Sequence, residues 1–237
     1  MKRNWILLFA VVMVLCLSGA AEATLFDRGN GLIYDDHLDI TWLQDANYAY
    51  TSGYDTDNDG RMTWDDAVAW ADTLVYEGYD DWRLPTTVDG IWEWGYDGTT
   101  TAGYNITTSE MGYMFYENLG NLGKYDTNET LQSGSGLTNV DFIDGTTGEI
   151  RSFENLMAYY YWSGTQYAAN PENAWYFRPK YGYQSQRDKE DNTHYAWAVR
   201  PGDVSAVHTP IPGTVLLLVS GLVGLGAFGR GARRRRG

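Results

Sequence analysis

The densest chemistry in this chain is the stretch Asp55-Thr-Asp-Asn-Asp-Gly-Arg-Met-Thr-Trp-Asp-Asp66. Asp55, Asp57 and Asp59 occupy positions 1, 3 and 5 of a twelve-position loop, and Gly60 occupies position 6. Such a loop wraps a hard cation: alternate carboxylates converge on it, position 7 adds a backbone carbonyl and position 12 a last carboxylate. Arg61 would give that carbonyl, Met62 is the apolar residue at position 8, and Asp66 replaces the usual Glu at 12. Bound calcium would relieve the repulsion among the three neighbouring aspartates, and glycine permits the sharp turn that gathers them. The residues before the loop, "NYAYTSGY", make a poor entering helix, and Asp66 is one methylene shorter than Glu. The expectation is therefore half an EF-hand that pins a helix start, with calcium held on the order of 0.1–1 mM. The competing reading is an Asp-Asn-Asp-Gly turn in an acidic protein.

A second candidate is "IWEWGYDG", where Trp92, Trp94 and Tyr96 alternate. Flat aromatic rings of this kind suit the faces of sugars, although aromatics fill cores more often than sites. Catalysis finds little support. His37, His194 and His208 stand apart in the sequence, with no metal-ligand neighbour at usable spacing. No Gly-rich phosphate loop is present, and the chain is expected not to be an enzyme. Asn170-Pro-Glu-Asn173 carries the residue types of a calcium-dependent sugar site, but without a partner motif.

The elements that must position these residues read as follows. Short β-like pieces cover 31–34 and 38–43. A helix is expected over 64–75, with Trp64, Ala67, Val68, Ala71, Leu74 and Val75 on one face and Gly78 as its stop. "DWRLPT" follows, reading as a core tryptophan (Trp82) beside an arginine (Arg83) held by a buried partner. A long Gly- and Thr-rich region runs over 87–148, with a short helix at 109–119. The last third reads as strands at 159–165, 174–178 and 195–200, separated by polar loops, with Trp162, Trp175 and Trp197 in the core. Strands, helices, then a block of strands indicate a single α+β domain over 24–204.

Both ends carry addresses. Lys2 and Arg3, an apolar run and Ala21-Glu-Ala23 form a signal peptide over 1–23, which contains the only cysteine, Cys16. The mature chain is then free of cysteine and exported without disulfides. At the far end, Pro210-Ile-Pro-Gly213 leads into an apolar run, counted as 18 residues from Ile211, which closes on an Arg cluster. That run is near the minimum for a spanning helix, with the arginines cytoplasmic. Of 17 Lys and Arg, 2 lie in the leader and 5 in the tail, while all 31 acids but Glu22 lie between, leaving the middle at net −20. Nucleic acid and other polyanions are poor partners for such an average surface; cations and neutral sugars are better ones.

Two resemblances add to this reading. The tail, over 205–237, resembles the PEP-CTERM sorting signal, with Ile211 where that family has Glu. It implies membrane anchoring, then processing by an exosortase-type enzyme and release to a bacterial cell surface or matrix. "GLIYDDHLDITWLQDANYA", "MTWDDAVAWADTLVYEGYDDWRLPT", "FENLMAYYYWSGTQYA", "NAWYF" and "YAWAVRPG" resemble, in that order, the bacterial Lcl C-terminal domain family. The resemblance implies a C-type-lectin-like domain with a core helix and a curled antiparallel sheet, some of whose relatives bind glycans. It fades over 87–148, the place of a variable, ligand-facing loop. The expectation is a calcium-stabilised, glycan-binding surface module, and its rival is a purely structural matrix or adhesion protein.

Overall fold

A computed structural model describes residues 24–55, 59–190 and 193–204. The expected leader over 1–23 and tail over 205–237 lie outside the described residues, as does Asp57. Among the described residues no helix is long and apolar enough to cross a membrane.

The domain is mixed α+β, mostly sheet with few helices. One antiparallel sheet is built from β1 (Leu25–Asp27), β2 (Leu32–Asp35), β3 (Ile40–Leu43) and the last strand, β11 (Val199–Pro201), in that order. Val199 pairs with Trp42 and Pro201 with Ile40, so the end of the domain closes against its beginning. A second, five-stranded sheet runs β4 (Trp94–Gly95), β5 (Ala102–Tyr104), β10 (Tyr183–Asp188), β9 (Asn173–Arg178), β8 (Tyr161–Gln166). All its pairings are antiparallel except the short β4–β5 edge. A hairpin of β6 (Asp141–Ile143) and β7 (Ile150–Ser152) forms a separate two-stranded sheet, tied to β1 through Asp144 and through the Arg151–Asp27 ion pair.

A four-residue turn of helix, α1 (Tyr48–Thr51), precedes the acidic loop, and α2 (Trp64–Thr73) follows it. Thr63 caps α2: its hydroxyl accepts the Asp66 N–H at 3.3 Å and donates to the Asp66 carboxylate at 2.8 Å. The helix buries Ala67, Trp70 and Ala71. It ends at Leu74, earlier than Gly78, and Val75, expected on the apolar face, is 69 % exposed. The short helix expected at 109–119 forms as α3 (Glu110–Tyr113), continued by a π-helical turn (Met114–Asn118). Its cap, Ser109, accepts the Gly112 N–H.

Periodicity failed on β10. Its sequence, YQSQRD, has no aliphatic residue and reads as a polar loop, yet it lies between β5 and β9 in the sheet. Neighbouring backbones and the tyrosines around it cover it, so its own side chains need not be apolar. β9 shows the opposite extreme: Ala174, Trp175, Tyr176 and Phe177 are all buried because both faces of the strand are covered.

The tryptophans expected in the core are there: Trp162, Trp175 and Trp197 are buried, as are Trp42, Trp70 and Trp82. Four of their indole N–H groups have partners: Trp162 donates to the Met62 carbonyl at 3.0 Å, Trp197 to the Leu43 carbonyl at 2.7 Å, Trp82 to the Tyr79 carbonyl at 3.1 Å and Trp175 to Asp89 at 2.8 Å, while among the described residues that of Trp42 has none. Arg83 does find its partner. Its guanidinium holds both oxygens of the Glu110 carboxylate at 2.7 Å, and that carboxylate also accepts the Thr86 N–H at 2.7 Å. Replacing Arg83 by Ala strands a largely buried carboxylate and is expected to cost about 2–3 kcal/mol. A urea denaturation midpoint that does not move would refute this weight.

Candidate binding surface

At the acidic loop, Asp55 accepts the backbone N–H groups of Asp59 at 3.2 Å and Gly60 at 2.7 Å. Gly60 has φ +74°, and a Cβ there would lie 2.7 Å from Asn47 Oδ1 and 2.8 Å from the Tyr195 ring, so only glycine fits. Asp55 and Asp66 line one hollow of about 370 Å³ together with Tyr54, Arg61, Thr63 and Thr193. The remaining expected ligands are less well gathered. Asp59 is turned to its own neighbour, pairing with the Arg61 guanidinium and accepting the Arg61 N–H at 2.8 Å. Asp66 is engaged by the helix cap. Among the described residues no three His, Cys, Asp or Glu stand close enough to hold a metal. Calcium in this loop would have to draw Asp59 away from Arg61 and recruit Asp57.

The loop is tied to the sheet by a two-way backbone pair, Met62 with His194, each N–H to the other's carbonyl at 3.0 Å. His194 is buried between aromatic rings, stacked on Trp162 at 4.0 Å and Tyr160 at 4.8 Å. Nδ1 contacts the Thr193 carbonyl at 2.6 Å, and among the described residues Nε2 has no partner.

The aromatic run forms a ledge on the second sheet. Trp92 and Trp94 stay 42 % and 36 % exposed, with ring centres 6.4 Å apart. Each is held rigidly. Trp92 donates its indole N–H to Ser185 at 3.1 Å, while Trp94 sets its edge against Tyr104 at 5.6 Å and Tyr183 at 5.4 Å. Tyr96 is half-buried and stacks on Tyr104 at 5.6 Å with ring planes 11° apart. All three predicted aromatics therefore belong to one surface, joined through Tyr104. The joint depends on Gly103, whose φ is +116° and where a Cβ would lie 1.9 Å from the Gly95 carbonyl oxygen. That close approach lets β4 lie beside β5 and brings Trp94 to Tyr104.

Sequence reasoning missed Tyr104, Tyr125, Tyr181 and Tyr183. Tyr125 meets Tyr96 at 5.5 Å and Tyr104 at 5.3 Å; Tyr181 stacks on Tyr183 at 6.3 Å. The repeated Gly-Tyr pairs, Gly103-Tyr104 and Gly182-Tyr183, were the available signal. Burial raises the Tyr104 hydroxyl to about 12, so the ring stays neutral across the physiological range. Comparison of the chain with family models, with curated proteins and with solved structures finds no match to any of them. The ledge presents the partly exposed rings of Trp92 and Trp94 beside tyrosines.

Burial, reinforced by Arg187, Arg61 and Arg178, lowers His194 to about 4, against an opposing contact from the Thr193 carbonyl. The unfolded chain then binds a proton that the fold does not accept between about 4 and 6.5, and stability falls as pH drops through that window. The loss is on the order of 3 kcal/mol. Substituting His194→Gln should flatten the pH dependence of the melting temperature there, and an unchanged slope would dismiss the assignment.

Proposed function

We propose that this chain is an exported surface or matrix binding module, without catalytic activity, whose aromatic ledge takes a glycan. The observation that carries the reading is that two tryptophans are kept more than a third exposed while fixed by specific partners. Leaving such large apolar rings in water is unfavourable unless something covers them. The resemblance to the Lcl C-terminal domain family supports the same reading. So does the arrangement of one ten-residue helix against antiparallel sheets, which fits a C-type-lectin-like domain. The leader and the PEP-CTERM-like tail support export, anchoring and exosortase-type processing.

Two or three ring stacks at about 0.5–1.5 kcal/mol each leave a single sugar near millimolar affinity, so tight binding needs a polymer that makes repeated contacts. On an array of polysaccharides the protein should bind a restricted set, and Trp92→Ala/Trp94→Ala should lose that binding while still unfolding in one cooperative transition. Silence across the array, with calcium-dependent self-association, would favour the structural rival.

Calcium is proposed as a stiffener of the acidic loop, supported by the convergence of Asp55 and Asp66 on one hollow and by the obligatory glycine. Added calcium should raise the melting temperature of the wild type and leave Asp55→Ala/Asp59→Ala unmoved. Equal response of the two proteins would reduce the loop to an acidic turn.

A further inference from the structure

The average charge of the domain conceals a sorted one. Of the ten basic residues between 24 and 204, five are spent on carboxylates: Arg28 on Asp203, Arg61 on Asp59, Arg83 on Glu110, Arg151 on Asp27 and Glu149, and Arg200 on Asp81. The other five have no carboxylate partner among the described residues, and each lies over an aromatic ring. Four of them sit among the tyrosines of the second sheet. Arg178 is 4.2 Å over Tyr160 and 4.4 Å over Tyr181, Arg187 is 5.0 Å over Tyr160, and Lys124 and Lys180 lie 5.4 and 5.5 Å from the centre of the Tyr181 ring. In a domain with three times as many acids as bases, unpaired cations gathered in one place are not the outcome of composition.

Next to them is a groove. An open hollow of about 420 Å³ runs between the 131–137 segment and the 180–181 turn, lined by Lys124, Lys180, Tyr181, Gln132 and Ser135 on its polar side, with no acidic residue in its walls. Tyr181 belongs both to this groove and to the tyrosine chain that ends at the ledge, through Tyr183 and then Trp94. One face thus offers stacking rings along its length and two ammonium groups at one end.

We propose that this groove is an anion subsite, and that the polymer bound here is a glycan carrying carboxylates, a uronic-acid polysaccharide. The assignment rests on the glycan reading of the ledge and adds the charge that the ligand must carry. Lysines above a ring keep their charge directed to solvent, where a sugar carboxylate can reach them while its ring packs on the tyrosine. Charges beyond about 8 Å are screened at physiological salt, so the distant part of the acidic surface opposes such a ligand only weakly. Asp126, two positions from Lys124, does not line the groove. A single-stranded nucleic acid could use the same rings and cations. The uronide is favoured because it continues the glycan reading of the ledge, and preference for an oligonucleotide is one outcome of the test.

The test uses oligogalacturonate and its methyl ester, which keeps the rings and removes the charge. By calorimetry the acid should bind the wild type about ten-fold more tightly than the ester, the gain expected from two exposed ion contacts. Raising salt should erase the difference. Lys124→Gln/Lys180→Gln, both at solvent-accessible positions, should bind acid and ester alike. Equal binding of acid and ester by the wild type, with loss in Trp92→Ala/Trp94→Ala, overturns the charge assignment and leaves the glycan reading standing. Failure of both forms to bind overturns the assignment, and the array above then decides the glycan reading separately. Preference for a single-stranded oligonucleotide over the uronide overturns it as well. The wild-type comparison of acid with ester holds whether or not the lysine variants fold.

Discussion

The two sheets of this domain are held together at Arg83. Its backbone exchanges two hydrogen bonds with Val199, at 2.8 and 2.9 Å, which adds a rung to the outer edge of β11. Its side chain reaches the other way and clamps Glu110, the first residue of α3. Just beyond, the Pro85 carbonyl accepts the Gly164 N–H at 2.8 Å and the Ser163 hydroxyl at 2.9 Å, tying the same segment to β8. The described residues contain no cysteine, so no covalent link shares this task. The Glu110 side chain is 14 % exposed, and removing its cation would leave a desolvated carboxylate. A pair so placed resists breaking far more than a surface pair does.

The ledge inherits its rigidity from that junction. The chain leaves it at Thr87, whose N–H is held by Thr165 and whose hydroxyl contacts Gln184, and then enters the segment that carries Trp92 and Trp94. Gly95 and Gly103 then bring the edge strand back against β5. Each aromatic on the ledge has at least one fixed ring or hydrogen-bond partner, so little rotamer freedom remains to be lost when a ligand arrives.

What the sequence revealed, and what it hid, follows from how far each signal reaches along the chain. Helix faces are local and were legible, whereas the caps Thr63, which accepts the Asp66 N–H, and Ser109, which accepts the Gly112 N–H, were equally local signals that went unread. Val75 was misassigned because the helix ends at Leu74, before its periodicity could continue. The ledge was half legible. Trp92, Trp94 and Tyr96 alternate in one short stretch, but Tyr104, Tyr125 and Tyr183 join them only through sheet pairing across as many as 89 positions, from Trp94 to Tyr183. β10 was illegible for a related reason: a strand covered by its neighbours' rings need not alternate in hydropathy. The loop's alternating aspartates could be read directly, whereas the turning of Asp59 toward Arg61 could not, because spacing sets which residues can meet and local charge decides which do.

The same distinction governs the charge argument. Net charge is a property of the whole chain and decides long-range behaviour such as solubility and diffusional steering. A ligand resting on the surface senses only the groups within about a Debye length. Here six carboxylates, Asp203, Asp59, Glu110, Asp27, Glu149 and Asp81, hold five arginines, and none of these pairs includes Lys124, Lys180, Arg178 or Arg187. The cations left over rest on rings, which attract them without a neutralising counter-charge. An acidic protein can in this way present one cationic, aromatic surface, and the composition that excludes polyanions on average does not exclude them there.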